Sequence, residues 1–148
     1  MGNVEQQITI NAPAEKVFSY LADIPRHSEW ARPEHKVEIK KTSDGAVGQG
    51  STFQSVGHQF GKNQDALTIT EYTPNTRLVF EADGNAGLIR HSFDLTPGDG
   101  GVQVTKSVEF VQTKFPFALF APLAKAFVLP GALSGDLQRI KEHVEQPG

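Results

Sequence analysis

The chain has 148 residues, of which 38% are hydrophobic, and this length fits one compact domain with a core of its own. It contains no cysteine, which excludes disulfides, thiol catalysis and cysteine-based zinc sites. The formal net charge is -3, from 14 basic and 17 acidic residues, and this balance disfavours capture of nucleic acid by a basic surface.

The amino-terminal part of the chain predicts one strand followed by two short helices. Residues 4–10 alternate between polar and apolar side chains, as in a half-buried strand. Pro13 suits the first turn of a helix, and a second, shorter helix begins near Pro25 and ends at Trp30. The first ten residues lack the basic region and the continuous apolar region of a secretory signal, so we expect a cytoplasmic protein.

The middle of the chain, from residue 36 to residue 112, has a period of two that is interrupted by clusters of Gly, Pro, Asn and Asp. This pattern predicts a meander of antiparallel strands. The predicted strands cover residues 36–42, 51–60, 64–72, 77–83, 88–96 and 102–111. Together with the first strand they make seven.

The carboxyl-terminal part predicts one amphipathic helix. Leu133, Leu137, Ile140 and Val144 fall at i, i+4, i+7 and i+11, and the helix ends before Pro147. The order of elements predicts an α+β fold in which helices cover one face of an antiparallel sheet. A sheet of seven strands tends to curl. Any space that its side chains leave beneath the helix would suit a small molecule.

Four segments combine apolar positions and turn formers in a characteristic order along almost the whole chain. They are ITINAPAEKVFSYLADIPRHSEW (8–30), GQGSTF (48–53), LTITEYTPNTRLVFE (67–81) and GGVQVTKSVEF (100–110) followed by DLQRIKEHVE (136–145). In this order they resemble the START-related helix-grip superfamily (SRPBCC), and within it the polyketide cyclase/dehydrase-like branch.

The resemblance implies a curved, seven-stranded antiparallel sheet wrapped around a long C-terminal helix, with a hydrophobic cavity between them. Members of this superfamily bind or carry lipids, sterols, hormones and aromatic polyketides, and a minority are cyclases or dehydratases. Because one fold supports all of these functions, the polar residues that face inward have to discriminate between them.

His91 is the first such residue, because it shares the phase of Ile89 and Phe93 on a predicted strand. Alternation therefore places its imidazole on the inner face. Near pH 7 an imidazole can accept or donate a proton, which suits general acid/base catalysis. The alternative is a buried histidine whose hydrogen bonds are satisfied by a neighbouring hydroxyl or carbonyl.

Lys106 is the second, because it falls in the phase of the apolar residues of the last predicted strand. Inside a cavity its ammonium can hold a ligand carboxylate or stabilise an enolate. Alternatively, a β-bulge or a position at the mouth would turn it to solvent. Glu71 shares the phase of Leu67 and Ile69 and is a third, weaker candidate, because its place near a strand end favours contact with solvent instead.

The residues predicted to line the cavity are mainly apolar and share an inward phase or a place in the covering helices. They are Trp30, Phe53, Leu67, Ile69, Glu71, Phe80, Ile89, Phe93, Val104, Val108, Phe120 and Phe127. The five histidines form no metal-binding motif, and no nucleotide-binding loop or nucleophile elbow is present. We therefore expect neither a metal nor a cofactor.

Residues 115–130 are apolar nearly all round, but the stretch is too short and too broken by proline to span a bilayer. It fits a lid over the cavity that bends at Pro122 and Pro130, a kinked core helix, or a surface that docks on a partner or a membrane. The last alternative predicts exposure, whereas the first two predict enclosure.

Three functions remain open at this stage, and the third is an interaction protein whose apolar residues 115–130 dock on a partner or a membrane surface. The first is a carrier or sensor that encloses a hydrophobic or aromatic molecule and orients it through His91 or Lys106. The second is a polyketide cyclase or dehydratase in which His91 is the general acid/base and Lys106 stabilises the enolate. The sequence leaves the ligand and the oligomeric state open.

Overall fold

The computed structural model describes residues 4–30, 38–57, 63–84, 87–115 and 117–146. Seven strands form one antiparallel sheet in the order β1-β7-β6-β5-β4-β3-β2. Their bounds are β1 Val4–Ile10, β2 Glu38–Lys41, β3 Thr52–Gly57, β4 Asn63–Thr73, β5 Arg77–Gly84, β6 Gly87–Gly98 and β7 Gly101–Thr113. The predicted seven strands are confirmed, and residues 36–37 and 58–60 of the prediction lie outside the described part of the chain.

The helices follow β1 and β7, which are neighbours at one edge of the sheet. Their bounds are α1 Ala14–Ala22, a 3-10 helix Ile24–Glu29, α2 Phe117–Leu123, a π-helical segment Ala124–Val128 and α3 Leu129–Glu145. Pro25 and Pro130 each stand at a helix start, where a missing backbone N–H costs nothing. The α+β helix-grip arrangement predicted from the sequence is therefore confirmed.

The long helix α3 packs along β1 through its apolar stripe, of which Leu137 and Ile140 are fully buried. Two polar contacts at its end fix its position. Lys141 Nζ donates to the Thr9 carbonyl oxygen at 3.0 Å, and Glu145 Oε2 accepts from the Asn11 backbone N–H at 2.7 Å. We call the side of the sheet that α1 and α3 cover the inner face.

Cross-strand pairing sets which side chains share the inner face. Phe80 on β5 pairs with His91 on β6, and His91 pairs with Val108 on β7. One pair further along, Phe93 on β6 is opposite Lys106 on β7. Directly paired residues of antiparallel strands point to the same face, so His91 and Lys106 both face inward, as their phases predict.

Glu71 does not follow this pattern. The register of β4 against β5 shifts between Ile69, which pairs with Phe80, and Glu71, which pairs with Val79. Phe80 and Val79 are neighbours on one strand and so face opposite sides. The bulge thus turns Glu71 outward, where its carboxylate pairs with Arg77 at 3.1 Å with the side chain 47% exposed. The predicted inward facing of Glu71 is wrong.

Candidate functional site

Aromatic and basic side chains meet on the inner face near the middle of β6 and β7, and we call this group the inner cluster. Its members are His27, Trp30, Phe80, His91, Phe93 and Lys106. They come from the 3-10 helix, the residue that ends it, and three neighbouring strands. The fold therefore brings together residues that are up to 79 positions apart in the chain.

Lys106 is the most deeply buried cation of the described residues, with 3% of its surface exposed. Its Nζ lies 4.6 Å from the ring centroid of Trp30 and 5.2 Å from that of Phe93. Both rings present their negative faces to the ammonium, which is a cation–π arrangement. The same Nζ lies 3.5 Å from Asp136 Oδ2 on α3.

Asp136 connects the ammonium to a second cation. Its Oδ1 accepts from Arg139 Nη2 at 2.7 Å, and Arg139 Nε donates to the Trp30 carbonyl oxygen at 2.6 Å. The carboxylate of Asp136 is thus a buried counterion that ties α3 to β7 and to the end of the 3-10 helix. Sequence analysis missed it, although its position three residues after Leu133 puts it on the apolar face of α3.

His91 stacks on Phe80, with ring centroids 4.8 Å apart and planes at 11°. Its Nδ1 is buried and has no hydrogen-bond partner among the described residues. Burial first, and then the nearby charges of Lys106 and His27, lower the pKa of His91 from 6.5 to about 3. The imidazole is therefore neutral at pH 7.

His27 is a second buried histidine, which sequence analysis did not single out. Its Nε2 donates to the Leu21 carbonyl oxygen at 2.6 Å, because a carbonyl oxygen can only accept. Its ring centroid lies 4.6 Å from that of Trp30 and 5.5 Å from that of Phe80. Burial is the main cause that lowers the pKa of His27 to about 3, although the bond to Leu21 opposes the shift.

Trp30 closes the inner cluster from the side of the 3-10 helix. Its side chain is 1% exposed, and its ring meets Phe93 edge to face at 5.9 Å. The indole Nε1 is buried and has no hydrogen-bond partner among the described residues. Since an indole N–H can only donate, this atom requires an acceptor that the described part of the chain does not supply.

The inner face becomes more open towards one end. Along β6, Phe93 is fully buried, whereas His91 and Ile89 are half-buried. On β7 the same change occurs between Val108, which is buried, and Phe110, which is half-buried. Ile89 and Phe110, which pair across β6 and β7, are therefore the apolar side chains at the more exposed end.

Most of the apolar residues predicted to line a cavity lie on the inner face or beside it. The buried ones are Trp30, Phe53, Leu67, Ile69, Phe80, Phe93, Val104 and Val108, and Ile89 is half-buried. The side chain of Phe120 lies outside the described part of the structure. Phe127, by contrast, is 80% exposed and does not join the others.

Phe127 belongs to a series of exposed apolar residues, which we call the exposed stripe. Its members are Phe115, Leu119, Leu123 and Phe127, which are 58 to 80% exposed. They follow one another at intervals of four residues, with Phe115 just before α2 and the others on α2 and the π-helical segment. Their exposure contradicts the interpretation of residues 115–130 as a buried core helix and is the outcome that an interaction surface predicts.

No other feature of the described residues is a stronger candidate for a functional site. A surface depression of about 500 Å³ is lined by residues 11–14, 97–98 and 100–101, none of which is charged. No group of three or more described His, Asp or Glu side chains is arranged to hold a metal ion. None of the described helices is both long and apolar enough to cross a bilayer.

The antiparallel sheet, the long C-terminal helix against it and the polar group on the inner face define a helix-grip protein. The family model described as "Polyketide cyclase / dehydrase and lipid transport" matches residues 1–145, and the chain belongs to that family. No curated protein matches the sequence.

Solved structures with similar folds support the same class. Protein CV1439 from Chromobacterium violaceum has a TM-score of 0.74 at 16% identity, over 99% of this chain and 100% of that one. TTHA0849 from Thermus thermophilus has a TM-score of 0.72 at 17% identity, with 97% of each chain covered. DynU16, from the dynemicin biosynthetic locus, has a TM-score of 0.64 at 17% identity, over 97% of this chain and 47% of that one. Identities this low show a shared fold alone.

Proposed function

We propose that this protein is a cytoplasmic carrier or sensor of a hydrophobic or aromatic small molecule, lipid-like or polyketide-like. The molecule would lie between the sheet and α3, entering at the open end of the inner face near Ile89 and His91. The observation that carries the proposal is a pair of buried polar atoms, Trp30 Nε1 and His91 Nδ1, that have no hydrogen-bond partner among the described residues. Buried polar groups are normally hydrogen-bonded, so atoms of this kind indicate a place for a ligand group or a water molecule.

Apolar burial would supply most of the affinity. A two-ring aromatic molecule that buries about 300 Å² of apolar surface gains roughly 7 kcal/mol at 25 cal/mol per Å². Immobilisation consumes part of this gain, so we expect dissociation constants in the micromolar range or weaker for such a molecule. The polar atoms of the inner cluster would set orientation and selectivity.

The second candidate is a cyclase or dehydratase, which the family description and the likeness to a protein of a biosynthetic locus support. His91 would then be the base and Lys106 would stabilise the enolate. Two observations favour binding instead. The lowered pKa of His91, about 3, makes its imidazole a weak base at neutral pH, and the Lys106 ammonium already has Asp136 as a counterion.

Native mass spectrometry of the protein taken gently from its source tests the proposal. We expect a retained apolar molecule with a mass common to independent preparations. The variant His91→Ala should weaken retention modestly, and Glu71→Ala, on the other face of the sheet, should leave it unchanged. Unliganded protein from every preparation, together with no binding of naphthalene added in vitro, would refute the binding function. Turnover that His91→Ala abolishes while binding persists would establish the enzyme instead.

A further inference from the structure

The buried ammonium of the inner cluster has a counterion on α3. The Lys106 ammonium pairs with the Asp136 carboxylate, whose side chain is 10% exposed. Arg139 shares that carboxylate, but its own side chain is 34% exposed and reaches solvent. His27 and His91 are neutral at pH 7. A ligand that enters from Ile89 therefore meets an ammonium that already has its counterion.

The described residues do not satisfy every hydrogen-bonding group of the same cluster. Trp30 Nε1 has a proton to donate, and His91 Nδ1 has either a proton or a lone pair to offer. Each buried group left in this state costs about 1 to 3 kcal/mol. A carbonyl oxygen on an entering molecule would satisfy the indole without bringing a charge into the interior.

We infer that the site selects uncharged aromatic carbonyl compounds over aromatic carboxylates, with Trp30 Nε1 as the donor to the carbonyl and Asp136 as the residue that excludes the acid. This inference rests on the proposed function and names the ligand class of the same site. It reverses the sequence-based expectation that Lys106 holds a ligand carboxylate.

The reason for exclusion is the cost of an uncompensated charge. A carboxylate that approached Lys106 would compete with Asp136 for one ammonium. Arg139 Nη2, 2.7 Å from Asp136 Oδ1, holds Asp136 in place. The entering carboxylate would therefore share one ammonium with a second carboxylate and remain without a cation of its own in a water-poor interior, where an uncompensated charge is costly. An uncharged carbonyl has no such penalty. Its hydrogen bond to Trp30 would also remove the cost of a buried indole N–H without an acceptor among the described residues.

Three probes that share one ring system separate the effects of apolar burial, of a hydrogen bond to Trp30 and of a negative charge near Asp136. They are naphthalene, methyl naphthyl ketone and naphthoate. Isothermal titration calorimetry at pH 7 measures their dissociation constants. We expect the ketone to bind the unmodified protein about tenfold more tightly than naphthalene, which corresponds to one hydrogen bond, and naphthoate to bind most weakly.

Two variants assign the selectivity to residues. Trp30→Phe removes the N–H and should weaken the binding of the ketone about tenfold, to the affinity of naphthalene. The affinity for naphthalene itself should change little. Asp136→Asn removes the negative charge beside Lys106 and should strengthen the binding of naphthoate about tenfold or more. The affinity for the ketone should be unchanged. Glu71→Ala, on the outer face, is the matched control and should alter none of the three constants. Circular dichroism confirms that each variant is folded.

The outcomes separate this inference from the proposed function. If no probe binds the unmodified protein, the proposed function fails and the inference with it. If naphthalene binds but naphthoate binds as tightly as the ketone, the binding function stands and the inference is wrong. Equal binding of ketone and naphthalene also overturns it, because water alone would then satisfy Trp30 Nε1. Should Asp136→Asn fail to fold, the ratio of ketone to naphthoate in the unmodified protein and in Trp30→Phe decides the question.

Discussion

The inner cluster and the exposed stripe reverse the usual distribution of side chains. The inner cluster contains a buried lysine, a buried histidine and a half-buried histidine, and Asp136 on α3 is buried beside them. The exposed stripe presents large apolar side chains to solvent, although it belongs to one of the most apolar stretches of the sequence. In these two regions, therefore, the face of the strand or helix on which a residue lies determines its burial more than its own polarity does.

The two regions also differ in what holds them in place. Each member of the inner cluster touches side chains from several elements, so removing one leaves a gap or a buried charge. The members of the exposed stripe follow one another along the chain and face outward. We therefore expect the free energy of unfolding to depend strongly on the first region and weakly on the second, which the following four predictions test.

The largest effect is expected from Asp136→Ala. It leaves the Lys106 ammonium buried without this counterion and should lower the free energy of unfolding by about 3 to 5 kcal/mol. Urea denaturation measures the change. The double variant Lys106→Met with Asp136→Leu removes both charges at similar volume and should recover most of the loss. A double variant as unstable as the single one would show that the charge pair is not the cause.

Acidification should destabilise the protein through the two buried histidines. Their folded pKa values, about 3, lie below the unfolded value of 6.5, so the unfolded state binds more protons as the pH falls from 6.5 towards 3. Between pH 7 and pH 5 each histidine should remove roughly 2 kcal/mol of stability. Urea midpoints at several pH values measure this slope.

The same experiment has an internal comparison. His91→Leu should lose about half of the pH-dependent slope, because one of the two histidines is gone. Leu119→Ser in the exposed stripe should keep the full slope, since it changes no titratable group. Stability that is constant between pH 7 and pH 5 in the unmodified protein would contradict the burial of these imidazoles.

A pair of leucine variants compares the two regions directly. Leu137 is 1% exposed on α3, whereas Leu119 is 65% exposed in the stripe. Leu137→Ala should cost about 3 kcal/mol, within the 2 to 5 kcal/mol found for buried leucines, and Leu119→Ala should change stability by no more than about 0.5 kcal/mol. Equal losses in thermal or urea unfolding would mean that the stripe is packed in solution.

The smallest effect is expected from Glu71→Ala. Its ion pair with Arg77 joins side chains that are 47% and 38% exposed, and such surface pairs contribute at most about 1 kcal/mol. Ligand binding should not change, because the bulge turns this residue away from the inner face. A loss of binding in this variant would restore Glu71 to the site and refute the register described here.

The parts of the fold that follow from alternation could be predicted from the sequence. A strand that slips by one residue turns every side chain to the other face, so the inward facing of His91 and Lys106 followed once their strands were assigned. The bulge between Ile69 and Glu71 could not be predicted in this way. It adds one residue to one strand and leaves no mark in the hydrophobic pattern.

The rest of the candidate site depends on elements without a clear period. His27 lies in a 3-10 helix of six residues, too short for an apolar stripe to mark its buried face. The burial of Asp136 did have a signal in the sequence, because this residue lies on the apolar face of α3. The apolar residues of that face predicted the helix without drawing attention to the one acidic residue among them. The exposure of Phe127 could not be foreseen, because apolar composition does not distinguish a core helix from a contact surface.

The central claim is that a small molecule binds at the inner cluster, and the only tryptophan of the chain gives a direct test. The indole N–H of Trp30 produces a single side-chain resonance in a proton–nitrogen NMR spectrum. During titration with methyl naphthyl ketone we predict a downfield shift of this resonance and nuclear Overhauser contacts between the probe and Ile89. A saturating probe that leaves the indole resonance unmoved and contacts only Leu119 and Leu123 would contradict the account.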